Sequence, residues 1–248
     1  MSLDKLLSDD SKEGAYLRQE YLLKQFKRDN KTDAASLLRI ILELTITESN
    51  TRNLILCLQL LESLVTDPHG VLYNTEEVTA AITRHISHVS NEVRQQSLQC
   101  LLFLIQQLES SLPSIHRTAV KATLDPDTIV LYRALHLTAE SARGVEQARS
   151  AKVLVSFLRH PDRRVRATSL SGLQTLIEAG CGGLGSEAHQ YGVDALSDDC
   201  QEVRLQALEL LFCLSNVSGE ELVQTQAGER YCRIKLQLYP TIPHILWS

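Results

Sequence analysis

Aromatic residues are scarce in this chain, at 5% of 248 residues, and so are proline and glycine, at 6 and 11. With leucine filling the apolar positions instead, helix is favoured over a β-sandwich. So little proline and glycine leaves no flexible linker, and no low-complexity segment is present. No stretch approaches the roughly 18 consecutive apolar residues of a membrane span, so no membrane contact is expected. The N-terminus, MSLDKLLSDDSKEG, lacks the basic start and apolar run of a secretory signal, which points to the cytosol or nucleus. Lysine and arginine total 25 against 30 aspartates and glutamates, a formal net charge of −5. A sequence-independent nucleic-acid binder needs many cations to neutralise phosphates, so this balance speaks against that class, although a local patch escapes the average.

The signatures of chemistry are missing as well. Cys57, Cys100, Cys181, Cys200, Cys213 and Cys232 form no C-x-x-C pair. Cys57, Cys100 and Cys213 stand among leucines and read as reduced, small hydrophobes, as befits a reducing compartment. His85 and His88 share a helix face, but no nearby Asp, Glu or Cys completes a metal site. The His-Glu dipeptides that iron-binding HEAT enzymes repeat along their arrays do not occur. The loop GCGGLGSEAH is glycine-rich but has no lysine and no preceding strand, so it is a connection between helices rather than a P-loop, with Gly180 placed to end a helix. There is no G-x-S-x-G, and no Cys-His or Ser-His-Asp set suggests itself. No catalytic residue, cofactor or metal is expected, and the chain is read as not an enzyme.

What the sequence does contain is helix after helix. Amphipathic stretches run over 15–28, 33–47, 49–64, 75–89, 90–108, 112–124, 125–142, 145–158, 160–180, 186–196 and 197–216. Thr32 or Asp33, Ser49 or Asn50, Thr75 and Asp162 stand at the starts as openers or caps. Pro68 and Gly70 break the chain between two of the stretches. After the first helix, the stretches pair up. Each second helix opens with a valine: Val93, Val130, Val165 and Val203 are separated by 37, 35 and 38 residues. Aligning Asn50 with Asn91 adds an earlier member at a shift of 41. Helix pairs at this period predict an all-α, HEAT/armadillo-type α-solenoid of about five pairs plus an N-terminal helix. The expected layout is a flexible 1–14, a solenoid over 15–217 and a partly helical or irregular tail over 218–248. Arg18, Glu20, Lys24, Lys27 and Arg28 give the first helix the polar side of a cap. The tail, with Pro240, Pro243 and Trp247, offers no such cap, so fraying or self-association is expected there.

An arginine follows the valine in three of the repeats: Arg94, Arg166 and Arg204. The preceding turns are acidic, through Glu92, Asp162, and Asp198, Asp199 or Glu202. A guanidinium fork placed there can span to the acid of the next repeat or bond the turn's carbonyls, so Arg94, Arg166, Arg204, Asp162 and Asp199 are candidates for a repeat ladder. Direct contact of the three arginines with a partner is the other reading. Leu131 replaces the arginine in the third repeat and interrupts the ladder. Arg159, Arg163 and Arg164 gather with Arg166 around one turn. They form either a solvated turn with its ladder arginine or a basic spot for RNA or an acidic partner segment. No aromatic is interleaved, so base stacking is not indicated.

The order of these repeats resembles a known family. The run YLLKQFKRDNKTDAASLLRIILEL, the helices opening at SNTRNLILCLQLL, SNEVRQQSLQCLL and DTIVLYRALHLTA, and above all HPDRRVRATSLSGL and HQYGVDALSDDCQEVRLQALELL look like the N-terminal HEAT array of the fourth subunit of the Integrator complex. The matching positions are Asp162, Val165, Arg166, Tyr191, Ser197, Asp198, Asp199, Val203 and Arg204, in a collinear likeness over roughly residues 20–215. The resemblance implies a short or truncated member of a family of nuclear scaffolds. Such a scaffold holds the complex's two metallo-β-lactamase-type nuclease subunits, and the catalytic zinc belongs to the partner. The implied work is 3′-end processing of small nuclear RNA and termination of RNA polymerase II, with any RNA contact indirect. A generic HEAT adaptor of trafficking or transport in the cytoplasm is the alternative.

Overall fold

The computed structural model describes residues 31–65, 73–106, 113–142, 146–181 and 184–218. The expected flexible start 1–14, the helix over 15–28 with its polar cap, the breakers Pro68 and Gly70, Cys232 and the tail from 219 with Pro240, Pro243 and Trp247 lie outside the described residues. Among the described residues there are ten α-helices, one 3-10 turn and no strand. They group into two compact units that divide between Ser141 and Ala142.

The first unit contains α1 (Lys31–Thr47), α2 (Thr51–Val65), α3 (Thr75–Thr83), α4 (Asn91–Gln106), α5 (Pro113–Ala122) and α6 (Thr128–Ser141). Each odd helix packs on the even helix that follows it. The even helices α2, α4 and α6 make one row, and α1, α3 and α5 a second. The second unit contains α7 (Glu146–Ser156), α8 (Arg163–Glu178), α9 (Gly185–Ala195) and α10 (Gln201–Ser218), with α8 packed on both α7 and α10 and α9 on α10.

The valine that opens four of the five second helices drives this packing. Val93, Val130 and Val165 are fully buried and Val203 is 1% exposed. Behind Val93 the buried stripe of α4 is wide: Ser97, Leu98, Leu101, Leu102, Leu104 and Ile105. A helix apolar over so broad an arc must be covered on more than one side, as a middle member of a row is. Each fully buried leucine, such as Leu58, Leu61, Leu101 or Leu104, contributes about 1.5–3 kcal/mol. Cys57, Cys100 and Cys213 are buried and form no disulfide, and burial pushes the Cys100 thiol up.

Local differences from the sequence reading have simple causes. α1 is already helical at Lys31, so Thr32 and Asp33 lie inside it rather than before its start. The stretch over 75–89 is α-helical only to Thr83 and then tightens into a 3-10 turn, Arg84–Ser87. That helix opens on Asn74, whose Oδ1 accepts from Glu76 N at 3.0 Å. In the first repeat Asn50 is the cap, accepting from Arg52 N at 3.0 Å and Asn53 N at 3.3 Å. The same first intrahelical bond, Leu54 N to Asn50 O and Arg94 N to Ser90 O, pairs Asn50 with Ser90 rather than Asn91. At the end of α8, Gly180 takes a φ of +80°. Its N–H bonds Ile177 O at 2.9 Å and the Cys181 N–H bonds Leu176 O at 3.0 Å, the paired closure of a Schellman turn.

Candidate functional site

The turns that open the second helices share one hydrogen bond. Two residues before each N-cap stands a side chain that accepts from the N-cap's own N–H. Glu48 accepts from Asn50 N at 2.7 Å, His88 from Ser90 N at 3.1 Å, and Asp125 from Asp127 N at 2.9 Å. His160 accepts from Asp162 N at 3.1 Å and Asp198 from Cys200 N at 2.8 Å. Both histidines do this through Nδ1, where an aspartate would use a carboxylate oxygen. The bond satisfies an orphan donor just outside the helix and fixes how the chain enters it.

Onto these turns the arginines close. Arg94 donates Nη1 to His88 O at 2.8 Å and Val89 O at 3.2 Å, in its own turn. Its Nε and Nη2 reach the next turn and grip Asp125 at 2.7 and 3.0 Å. In the second unit Arg166 repeats the arrangement. Nη1 bonds His160 O at 2.9 Å and Pro161 O at 3.0 Å, while Nε and Nη2 grip Asp198 at 2.8 and 2.7 Å. Its Nη2 also reaches Asp199 at 2.8 Å. Arg204 bonds Asp198 O at 2.8 Å and Asp199 O at 3.0 Å. Leu131, at the equivalent place on α6, is buried instead. The two-pronged, charge-assisted clamps hold both guanidinium groups even more firmly protonated than usual, first through the hydrogen bonds they donate to the partner aspartate. Burial by itself would raise the Asp198 carboxyl, but the Arg166 fork and the Cys200 N–H outweigh it and leave it below the usual carboxylate range.

Asp162 is the cap that its place in the sequence suggests, but not a rung of the ladder. It caps α8, accepting from Arg164 N at 2.8 Å, and its carboxylate is gripped by the Arg164 side chain at 2.8 and 3.2 Å. That grip drives its pKa down to about 2. The forks of neighbouring repeats reach the acceptor two residues before the cap, not the cap itself. Asp127 is likewise held low, chiefly by Asn91, which donates to it at 2.7 Å from the preceding repeat.

A second polar link crosses the rows of second helices. Gln96 on α4 donates to Glu62 on α2 at 2.6 Å, beside Cys100, whose Sγ donates to Leu58 O at 3.1 Å. Burial raises the Glu62 pKa against the pull of Gln96 and Arg133. In the second unit, Gln206 on α10 donates to Gln174 on α8 at 3.2 Å. The sequence signal for the first link was a glutamate inside the apolar run LQLLESLV.

Of the basic spot, the structure commits Arg164 to Asp162 and Arg166 to Asp198 and Asp199, while Arg159 and Arg163 are exposed. Arg163 lines an open groove of about 710 Å³ between the turn before α8 and the turn before α10. Pro161 and Leu205 supply apolar surface in it, and Asp199 and Glu202 bring carboxylates. The structure also brings together a serine and a histidine that the sequence did not join: His116 Nδ1 and Ser141 Oγ are 3.2 Å apart. Both are at most 1% exposed, so no substrate atom reaches them. His85 and His88 lie with ring centroids 6.5 Å apart, and burial lowers the His85 pKa. Among the described residues no three His, Cys, Asp or Glu converge as ligands, and no helix is long and apolar enough to cross a membrane.

No family model and no curated protein matches the chain. Solved structures do. An engineered protein superposes with a TM-score of 0.56 at 16% identity, over 87% of this chain and 96% of that one. A HEAT-like repeats protein from the archaeon Thermococcus onnurineus gives 0.57 at 12% identity, over 87% and 86%. A designed armadillo repeat protein in complex with the peptide (KR)4 gives 0.53 at 14% identity, over 86% and 98%. The fold is a HEAT/armadillo-type α-solenoid. The five helix pairs of the described residues are its repeats, and an arginine clamp joins the second repeat to the third in the first unit and the fourth to the fifth in the second.

Proposed function

We propose that this solenoid is a non-catalytic scaffold that binds protein partners, and that its place is in the nucleus as a relative of the Integrator subunit it resembles. On that reading it supports the RNA endonuclease module in 3′-end processing of small nuclear RNA and in termination of RNA polymerase II. The observation that carries the scaffold reading is the clamp. Arg94 and Arg166 each tie two consecutive turns with bidentate bonds, so the turn edge of each unit is a pre-ordered surface. A pre-ordered surface loses little conformational entropy when a partner docks, which is the physical advantage of a repeat scaffold. The designed armadillo protein of the same fold is a complex with a peptide, in keeping with this use of the architecture. The finer assignment is supported by HPDRRVRATSLSGL and HQYGVDALSDDCQEVRLQALELL.

The test is affinity purification of the tagged chain from nuclear extract, with mass spectrometry of the proteins retained. Recovery of the Integrator nuclease pair is the expected result. Recovery of other proteins alone, beside a full-length Integrator subunit as positive control, would assign the chain to a different class of HEAT adaptor. Recovery of none would remove the scaffold reading.

A further inference from the structure

The four arginines around the turn before α8 are not equivalent. Arg166 spends all five of its N–H donors on His160 O, Pro161 O, Asp198 and Asp199. Arg164 is folded back onto Asp162. Arg163 remains exposed on the wall of the groove, with exposed Arg159 just before the turn. The other wall has the opposite sign. The Asp199 side chain is 92% exposed although one of its oxygens meets Arg166, and Glu202 is exposed in the first turn of α10. Pro161 and Leu205 supply the apolar surface of the groove.

We infer that this groove docks a mixed-charge protein segment, one that presents a carboxylate to Arg163 and a cation to Asp199 and Glu202 with an aliphatic side chain between them. The inference deepens the scaffold reading and rests on it. Charge complementarity selects the occupant. A nucleic-acid backbone carries only negative charge, and the Asp199 and Glu202 carboxylates in the same groove repel it. A polyacidic segment meets the same repulsion after its first contact, and a polybasic one meets Arg163. A segment that alternates the signs satisfies both walls and covers Leu205. Because the clamp already fixes Asp199 and the two turns, such a segment meets a formed site.

Fluorescence anisotropy with the full chain decides this. The probe is a fluorescein-labelled peptide repeating glutamate, leucine and lysine, with polyglutamate, oligolysine and an oligouridine RNA as comparators at near-physiological salt. The mixed peptide is expected to bind at least about tenfold more tightly than each comparator. Arg163→Glu and Glu202→Lys are each expected to weaken it by about tenfold or more, with Glu202→Gln intermediate. Both positions are exposed, and unchanged circular dichroism melting confirms that the variants fold. The inference is overturned if RNA or polyglutamate binds as tightly as the mixed peptide and Glu202→Lys strengthens that binding. It is overturned equally if the mixed peptide does not bind, or binds with no response to either wall. If the peptide fails while the affinity purification recovers stable protein partners, only the groove falls and the scaffold reading stands.

Discussion

In the unit that ends at Ser141, Arg94 grips one aspartate of the next turn; in the unit that begins at Ala142, Arg166 grips two. The backbone half of the two clamps is the same, with Nη1 on two carbonyls of the arginine's own turn. The difference lies in the tandem Asp198 and Asp199, where the first unit has Asp125 followed by Pro126. The second clamp therefore has a spare acceptor and the first has none. The comparison separates two roles that a salt bridge usually confounds: setting the geometry, which Asp125 and Asp198 do, and backing it up, which only Asp199 can do.

Removing the arginine should have the largest effect in both units. Arg94→Ala and Arg166→Ala each strand an aspartate that is only 11% or 14% exposed in its side chain, a loss of about 3 kcal/mol. Urea unfolding measures the total, and hydrogen exchange should place the lost protection in the mutated unit. Removing the acceptor should then divide the units. Asp125→Ala is expected to cost about 2–3 kcal/mol, and Asp198→Ala about 1–2, because Asp199 keeps one Arg166 bond. Equal losses would show that Asp199 contributes nothing as a reserve. Gly192 tests packing in the second unit alone. A Cβ there would lie 2.9 Å from Leu211 Cγ, so Gly192→Val should destabilise by about 1–3 kcal/mol.

The smallest effects concern pH, and the two units again differ. Asp162 and Asp198 of the second unit, and Asp127 of the first, are held below the ordinary carboxylate range. Their contribution to stability is complete above the unfolded value of 3.8 and is lost as pH falls through the folded values, about 2 for Asp162. Glu62 of the first unit is raised by burial, so its sign is reversed: the stability from its protonated form is complete below its unfolded value and is lost as pH rises through its raised folded value. Glu62→Gln should keep the bond from Gln96 and slightly raise the urea midpoint at neutral pH. A lower midpoint would mean that the charge itself is needed on this face.

Much of this was legible in the chain, and for definite reasons. Val93, Val130, Val165 and Val203 fix the repeat because a buried β-branched residue recurs at one place on four of the five second helices. The arginines after Val93, Val165 and Val203 stood out because one residue type fills one position. As a set the turn acceptors did not stand out, although Asp198 is among the acids that the sequence places before Val203. Glu48, His88, Asp125, His160 and Asp198 are three residue types that share only an acceptor atom at the right distance from the backbone. The same blindness let Asn50 be aligned with Asn91 by identity, when its equivalent by hydrogen bonding is Ser90. It also let Asp162 be read as a rung, when its carboxylate belongs to its own helix start and to Arg164. Nor could composition show that only Arg159 and Arg163 of the basic cluster stay uncommitted, since that depends on what Asp162 and Asp198 already hold.

The clamps measure distance through space and not along the chain. Arg94 finds Asp125 across 31 residues and Arg166 finds Asp198 across 32, whatever first helix lies between. The N-caps from Asn50 to Cys200 are spaced by 40, 37, 35 and 38 residues, and most of that variation falls between the end of each second helix and the start of the next first helix. Insertions and deletions there are thus tolerated, while a single inserted residue between Asp198 and Val203 would turn Arg204 and the whole face of α10 by about 100°. Drift in repeat length should therefore accumulate on one edge of each unit, leaving its turn edge as the part whose spacing is held fixed.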